Sequence, residues 1–172
     1  MWVVDHQSAD GRREFATLPA SRTRSHPEFE AFVAGAAGRL LHVAVLLTAE
    51  PQGAAPLARR LLSGALARTF ADWRRLRGDD PYAATRAELC AAFARSAWRH
   101  HGRPRPDAGV LARLGPQERL VVVLRVYEGV AEEQTAALLG IPADRVRAVC
   151  HRAMTALRAA AAAGPPPPGR VA

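Results

Sequence analysis

The chain has 172 residues and a formal net charge of +8, and all 24 of its basic residues are arginine. This length allows one or two small domains, each with a modest core. The basic excess favours a polyanionic partner, of which nucleic acid is the commonest. The N-terminal segment becomes polar almost at once and no apolar run is expected to cross a bilayer, so the sequence predicts a cytoplasmic protein without a signal peptide.

The first predicted helix follows a leader. Residues 1–25 lack a sustained hydrophobic period and are predicted to be flexible. Ser25 is the predicted cap of the helix, with Pro27 in its first turn. The apolar face of this helix comprises Phe29, Phe32, Val33, Ala36, Leu40, Ala44 and Leu47. The segment of residues 49–56 contains Pro and Gly and is predicted to end the helix.

Two more helices are predicted in the N-terminal half. The second runs from about Leu57 to Leu76 and the third from Tyr82 to about Arg99, with the turn GDDP at residues 78–81 between them. The side chains expected to face inward are Leu61, Leu62, Leu66, Phe70, Trp73, Leu89, Phe93 and either Ala97 or Trp98. Three helices of this length can close a small bundle, so residues 26–101 are predicted to form one helical domain.

Residues 102–114 are predicted to be a short basic linker that regains helical structure near Val110. A further helix is predicted to open at the segment GPQE, residues 115–118. The run LVVVLRV, residues 120–126, is also compatible with a buried strand because it is β-branched and continuous. Since the sequence offers no second strand for pairing, we predict a helix. The Pro-rich tail, residues 161–172, is predicted to be disordered.

Residues 132–158, EEQTAALLGIPADRVRAVCHRAMTALR, have the pattern of a helix-turn-helix. Ala136 is small enough for a helix crossing, Gly140 can adopt the positive φ of the turn, and Pro142 stops the first helix. The predicted buried stripe of the second helix is Val146, Cys150, Ala153 and Leu157. The predicted outer face is Arg145, Arg147, His151, Arg152, Thr155 and Arg158. Such a face suits the major groove of DNA, although an ordinary helical hairpin with a solvated basic face is an alternative.

The whole arrangement resembles the bacterial sigma factors of the extracytoplasmic-function (ECF) type, a two-domain branch of the sigma-70 superfamily. In the C-terminal part the resemblance rests on the hinge RVYEG, the turn ALLGIP and the closing HRAMTALR. In the N-terminal part it rests on FEAFVAGAAGRLLHVAVLLT, ALARTFADWRRLRGDDPYA and a helix ending in AWRHH. The resemblance implies an all-α fold: a three-helix bundle similar to sigma domain 2, a short linker, and a helix-turn-helix similar to sigma domain 4 over residues 115–160.

The resemblance implies a transcription initiation factor that binds core RNA polymerase and directs it to promoters. In the family, the C-terminal domain recognises the −35 element, while the N-terminal domain binds the β′ clamp of polymerase and captures a base of the −10 element. By position, the −35 contacts would come from Arg145, Arg147, His151, Arg152 and Arg158. Single-strand contacts would come from Trp73, Arg74, Arg75, Trp98 and Arg99, although both tryptophans also suit a plain core role. Polymerase contacts would come from Leu57, Arg60 and Leu61.

The sequence departs from the family pattern at several positions. Arg59 and Arg60 stand where the second helix of the family carries two acids. Ala148 and Val149 replace a usual Ser-Arg pair, which is expected to remove a DNA-contacting side chain. Ala131 replaces a usual serine cap, whose loss costs roughly 1 kcal/mol of helix stability.

An enzyme is not predicted, because the sequence contains no Gly-rich phosphate loop, no nucleophile elbow and no metal-ligand spacing. Neither a cofactor, a metal nor a small-molecule substrate is therefore expected, and no membrane partner is expected. Cys90 and Cys150 are expected to be buried free thiols. An anti-sigma factor is a further partner that the resemblance allows. Two alternatives stay open: a DNA-binding regulator that no longer recruits polymerase, and an interaction protein that contacts DNA only non-specifically.

Overall fold

The computed structural model describes residues 20–51, 53–76, 78–97 and 110–162. Its elements are α1 (Ala20–Thr48), α2 (Pro56–Asp72), α3 (Pro81–Ala97), a 3₁₀-helix (Val110–Arg113), α4 (Pro116–Val122), a π-helical turn (Val123–Tyr127), α5 (Glu132–Leu139) and α6 (Ala143–Ala162). These described ranges contain no strand, so the all-α prediction is confirmed. The run LVVVLRV is helical, and its last residues form the π-helical turn.

α1 begins at Ala20, six residues inside the predicted leader, so the predicted cap at Ser25 is wrong. Pro27 lies inside the helix rather than in its first turn. It removes one backbone hydrogen bond, but the helix continues because its other bonds hold the backbone on both sides. Residues 1–19, residues 102–109 of the predicted linker, and residues 163–172 of the predicted tail lie outside the described residues.

The length and hydropathy of α1 correct the expectation that no apolar run could span a bilayer. Pro27–Thr48 is long and apolar enough to do so, with a mean hydropathy of 1.7. The expectation was wrong because Arg39 is the one charged residue between positions 31 and 48, and a single charge leaves the segment apolar on average. Leu40, Val43 and Leu47 are fully buried against the rest of the protein, and a core helix meets the same criterion.

α2 and α3 pack side by side. Leu61 of α2 and Leu89 and Phe93 of α3 are buried, as predicted. The hydroxyls of Thr69 and Thr85 share a buried hydrogen bond of 2.9 Å between the two helices. Four of the predicted inward side chains, Leu61, Leu62, Leu89 and Phe93, are buried, but the predicted inward residue Phe70 is 41% exposed because its face of α2 borders an open groove.

A residue from the beginning of the preceding loop caps the start of α2. Ala55, at the cap position, has no side chain able to bond the helix. Instead, the buried Glu50 carboxylate accepts hydrogen bonds from the backbone N–H groups of Leu57 (3.3 Å) and Ala58 (2.8 Å). A carboxylate at a helix N-terminus satisfies free N–H groups and interacts favourably with the helix dipole. Glu50 therefore fixes the loop between α1 and α2.

The C-terminal elements share one hydrophobic core with the first three helices. The shared cluster includes Val43, Leu47, Ala58, Leu61, Leu89, Phe93, Leu111, Leu114, Leu120, Val122, Val123, Leu124, Val130 and Ala153. Leu111 and Leu114 lie in the predicted linker, whose return to helix near Val110 is confirmed. A second, smaller cluster of Val121, Ala136, Val146 and Val149 closes the helix-turn-helix itself.

Candidate nucleic-acid interface

α5, a tight turn and α6 form the predicted helix-turn-helix. Ala136 is buried where the helices cross, and the backbone N–H of Ile141 donates to its carbonyl oxygen at 3.1 Å. Gly140 has φ +65°, a conformation that costs residues with a Cβ atom roughly 1–2 kcal/mol. Ala131, at the cap position of α5, makes no side-chain hydrogen bond. The turn is therefore held by backbone bonds and by the packing of the small cluster.

The outer face of α6 is cationic and exposed. The five predicted −35 contacts are all exposed on this one helix: Arg145, Arg147, His151, Arg152 and Arg158. Val146 and Ala153 are fully buried on the opposite face, as predicted. Cys150 and Leu157 of the predicted stripe are only half-buried. The arrangement presents guanidinium groups that can bind phosphates or pair with guanine edges.

Arg147 differs from the other arginines of this face because it has a fixed partner. Its Nη2 donates to Oε1 of Glu132 at 2.6 Å, and its Nε donates to Oε2 at 3.3 Å. The Arg147 side chain is 72% exposed, whereas that of Glu132 is 15% exposed. The pair joins the first turn of α5 to the first turns of α6, so both helices of the motif orient this guanidinium group.

Val149 lies in the core, so the DNA-contacting side chain that the Ala148–Val149 departure was expected to remove cannot be one at position 149. Val149 is 1% exposed and packs in the small cluster. The sequence interpretation failed because it set the buried stripe of α6 one residue too far along, at Cys150. Only Ala148 lies on the exposed face.

Trp73, Arg74 and Arg75 occupy the turn that follows α2. The Trp73 ring is half-buried against the rings of Phe29 (centroids 5.1 Å apart) and Phe32 (5.4 Å). Arg74 is exposed, and Arg75 is exposed beside Asp72, to which its Nη1 donates at 3.2 Å. Trp98 and Arg99, the other single-strand candidates, lie outside the described residues.

The polymerase-contact candidates on α2 are not on one surface. Arg60 is exposed and Leu57 is half-buried. Leu61 is buried in the shared core, so its side chain cannot be a surface contact, and this prediction is wrong. The reason is the helical period: positions 58, 61 and 65 form the inner face of α2, and residue 60 points outward.

An apolar groove between α1 and α2 was not predicted. It has a volume of about 570 Å³ and is lined by Phe29, Glu30, Val33, Ala34, Leu66, Ala67 and Phe70. The sequence showed these residues only as parts of apolar helix faces, and it gave no sign that the faces would stay uncovered. The aromatic group around Trp73 borders this groove through Phe29 and Phe70, whose rings are 4.9 Å apart.

A buried carboxylate connects the segment before the helix-turn-helix to α1 and α3. Glu128 follows the π-helical turn, and its side chain is 0% exposed. Its Oε1 accepts hydrogen bonds from Arg39 Nε (3.0 Å) and the Tyr82 hydroxyl (3.0 Å), and its Oε2 accepts one from Arg86 Nη1 (2.8 Å). These charge-assisted bonds compensate for the loss of water around the carboxylate. Burial, assisted by the hydrogen bond to Glu128, raises the pKa of Tyr82 well above its ordinary value.

Arg119 makes a second tie between the halves. Its Nη1 donates to the carbonyl oxygen of Leu47 in α1 at 2.9 Å. Its guanidinium group lies 5.7 Å from the centre of the Phe93 ring of α3. Burial lowers the pKa of Arg119 below its ordinary value. α4 is thus bound to α1 and α3 by both polar and apolar contacts.

The thiols and acids offer little for catalysis or metal binding. Within the described ranges, no three His, Cys, Asp or Glu side chains are grouped so that they could hold a metal ion. Cys90 and Cys150 are free; the first is buried, as expected, and the second is half-buried. Burial raises the pKa of the Cys90 thiol to about 12, so it is a poor nucleophile and a poor metal ligand at neutral pH.

Comparison with known proteins identifies the family. Residues 110–159, from the 3₁₀-helix into α6, match the family model described as sigma-70, region 4. The chain is 32% identical over 154 residues to an RNA polymerase sigma-E factor of Streptomyces coelicolor, a match that covers 76% of this chain and 84% of that protein. The chain belongs to the sigma-70 family. It is a sigma factor of the ECF type, as the resemblance predicted.

Two other relatives match this sigma factor over a shorter stretch. A sigma-E factor of Streptomyces avermitilis is 47% identical over 49 residues, which cover 28% of this chain and 27% of the relative. A sigma-E factor of Streptomyces antibioticus is 49% identical over 45 residues, which cover 26% of this chain and 25% of the relative.

Proposed function

We propose that this sigma factor binds core RNA polymerase and directs it to promoter DNA, with α6 on the −35 element. The observation that carries this proposal is the exposed cationic face of α6 within a closed helix-turn-helix. The N-terminal helices would bind the β′ clamp and the −10 element. Because chromosomal DNA and polymerase are its proposed partners, we place its action in the cytoplasm.

The exposed arginines of α6 support duplex binding in two ways. Arg145 and Arg152 lie towards one edge of the outer face and Arg147 towards the other, with His151 and Arg158 between them. Edge arginines are suited to the phosphates that border a groove, whereas a central or oriented guanidinium can pair with a guanine edge. Both kinds of contact are compatible with a recognition helix in the major groove.

The turn after α2 supports a role in strand opening. Two exposed arginines stand beside a half-buried Trp73, and bases of single strands stack on aromatic rings while arginines bind the backbone. Since Phe29 and Phe32 already contact the Trp73 ring, a base could use only its free part. We therefore propose Arg74 and Arg75 as the principal single-strand contacts among the described candidates.

The DNA half of the proposal is tested with duplex binding. Arg147→Ala and Arg152→Ala should each weaken binding, by about 1–3 kcal/mol at one base pair if the lost contact is a bidentate guanine pair. A lost phosphate contact would instead weaken binding to all sequences equally and reduce the salt slope by about one unit. Arg68→Ala is a matched control, since Arg68 pairs with Glu88 far from α6 in sequence. Unchanged affinity in both α6 variants would remove the assignment.

The polymerase half is tested by co-elution with core enzyme and by transcription in vitro from genomic templates. A sigma factor should co-elute and start transcripts at defined sites. The second candidate function, a DNA-binding regulator that does not recruit polymerase, is favoured by one observation: Arg59 and Arg60 are exposed on α2, where the family resemblance led us to expect acids. Sequence-specific DNA binding without co-elution would favour the regulator. An anti-sigma factor remains a proposed partner, to be sought by capture on the purified chain.

A further inference from the structure

The ion pair between Glu132 and Arg147 divides the guanidinium group into a used part and a free part. A guanidinium presents two forks, one formed by Nε and Nη2 and the other by Nη1 and Nη2. Glu132 occupies the first fork through both of its oxygens. Within the described residues no group accepts a hydrogen bond from Nη1, and the Arg147 side chain is 72% exposed, so the second fork is available to a ligand.

Guanine is the ligand that this free fork fits. Its O6 and N7 acceptors in the major groove accept a bidentate pair of N–H bonds from arginine. Such a pair requires the guanidinium plane to be fixed, and a long exposed side chain loses much rotamer freedom when it binds. Arg147 avoids part of this loss because a carboxylate on the neighbouring helix already holds it. Glu132 itself is well placed to do so, since its side chain is mostly buried in the first turn of α5.

We propose that Glu132 is a positioning residue that orients Arg147 to select a guanine at one base pair of the recognised duplex. The inference rests on the proposed function, because it requires α6 to lie in the major groove. It assigns a role to an acid that would otherwise be unfavourable near DNA, where each carboxylate repels phosphates. If Glu132 only neutralised Arg147, its removal would raise affinity for every duplex and leave the base preference unchanged.

The test begins with selection from a duplex library randomised over ten base pairs. The selected duplex is then varied singly at each position, and dissociation constants are measured for the native chain and for Glu132→Gln. Glu133→Gln is a matched control, since it removes the same charge from the same turn, and Glu133 makes no ion pair within the described part of the chain. Arg147→Ala and the double variant Glu132→Gln/Arg147→Ala complete a double-mutant cycle.

The native chain should prefer guanine at one position by about 5- to 150-fold. Glu132→Gln should reduce this preference on the order of fivefold at that position alone, because a neutral amide holds the guanidinium less firmly. Glu133→Gln should leave the preference intact, and Glu132→Gln should have no further effect on it once Arg147 is alanine. A full guanine preference in Glu132→Gln would overturn the inference and leave the proposed function standing. A native chain without any base preference would overturn the proposed function, and this inference with it.

Discussion

Glu128 carries a charge at a position without access to solvent, and three donors from α1 and α3 compensate for it. Buried ion pairs contribute little net stability compared with an apolar replacement, but removal of one partner leaves an uncompensated charge. In this cluster the remaining charges would be Arg39 and Arg86, of which Arg86 is the more buried, with a side chain 17% exposed. Loss of the carboxylate should therefore weaken the contact between the two halves of the molecule.

The first prediction concerns this cluster. Glu128→Ala should lower the free energy of unfolding by about 3–5 kcal/mol, because Arg86 and the Tyr82 hydroxyl lose their acceptor. Urea titration followed by circular dichroism measures the change. Asp72→Asn is the control: Asp72 pairs with Arg75 on the surface, and its loss should cost less than about 1 kcal/mol. Equal, small effects of the two substitutions would contradict the structural role of Glu128.

The second prediction concerns alkaline pH. Burial raises the pKa of Cys90 from its ordinary 9.0 to about 12, and the pKa of Tyr82 above its ordinary 10.0. The folded chain thus retains protons that the unfolded chain releases. The stability linked to these protons is complete below about pH 9. The Cys90 part is lost as the pH rises from about 9 towards 12, at about 1.4 kcal/mol per pH unit, and a smaller Tyr82 part is lost from about pH 10 upwards.

Urea unfolding at pH 8, 9 and 10.5 measures this loss. Cys90→Ala lowers stability at every pH through lost packing, but it should flatten the decline above pH 9 because one of the two titrating groups is gone. A decline of the same slope in the variant would show that Cys90 does not contribute to it.

At the scale of elements, α6 supplies the third prediction. Val149→Arg introduces the arginine that the family resemblance led us to expect at this position, yet here the side chain would enter the small cluster of the helix-turn-helix. Burial of an unpaired charge should cost several kcal/mol of stability and should not strengthen DNA binding. Thermal unfolding and duplex titration measure both effects. Ala148→Ser, on the exposed face, should leave stability nearly unchanged. A stable Val149→Arg variant with tighter DNA binding would contradict the burial of this position.

α2 supplies the fourth prediction. If the clamp surface is built for carboxylates, Arg59 and Arg60 should weaken polymerase binding, because like charges across an interface are costly. Arg59→Glu/Arg60→Asp should then tighten binding to the cognate core enzyme, with a smaller gain at high salt. Arg68→Glu, also on α2, is the control for net charge. Tight binding by the native chain, lost in the double variant, would show that the interface has been rebuilt around arginine.

Sequence patterns predicted the elements that depend on local chemistry. Gly140 at the turn, Pro116 at the start of α4 and the exposed arginines of α6 were all found where the sequence indicated. Side-chain contacts between one element and the next were missed, because no helical period reports them. Glu50 caps a helix that starts after the next loop, and Glu132 pairs with a residue on the other helix of its motif.

At the scale of the whole molecule, the two halves share one hydrophobic core, whereas the sequence pattern predicted two domains. Helical periodicity indicates that a face is apolar but does not indicate which other face covers it. The C-terminal half of α1 therefore gave no sign that Val43 and Leu47 pack in one cluster with Val123 and Leu124. The open groove beside Phe70 was missed for the same reason.

The fifth prediction follows from this shared core. The three tryptophans, at positions 2, 73 and 98, all precede the 3₁₀-helix, and Trp73, the one within the described residues, packs against α1. Val146→Ala removes packing from the fully buried face of α6 and should lower stability by about 1–3 kcal/mol. If the molecule unfolds as one cooperative unit, this C-terminal change should shift the fluorescence midpoint as much as the circular dichroism midpoint. A fluorescence midpoint that does not move would indicate two independent units.

The π-helical turn at Val123–Tyr127 sets the phase between the halves. The backbone N–H of Glu128 donates to the carbonyl oxygen of Val123, five residues earlier, at 2.9 Å. The turn therefore contains one residue more than an α-helical turn would. Since each α-helical residue advances by about 100°, winding the same residues as an ordinary α-helical turn would turn Glu128 away from its donors and rotate all of α5 and α6 against α1–α3. The number of residues in this single turn, rather than their chemistry, therefore encodes the angle at which the recognition helix is presented.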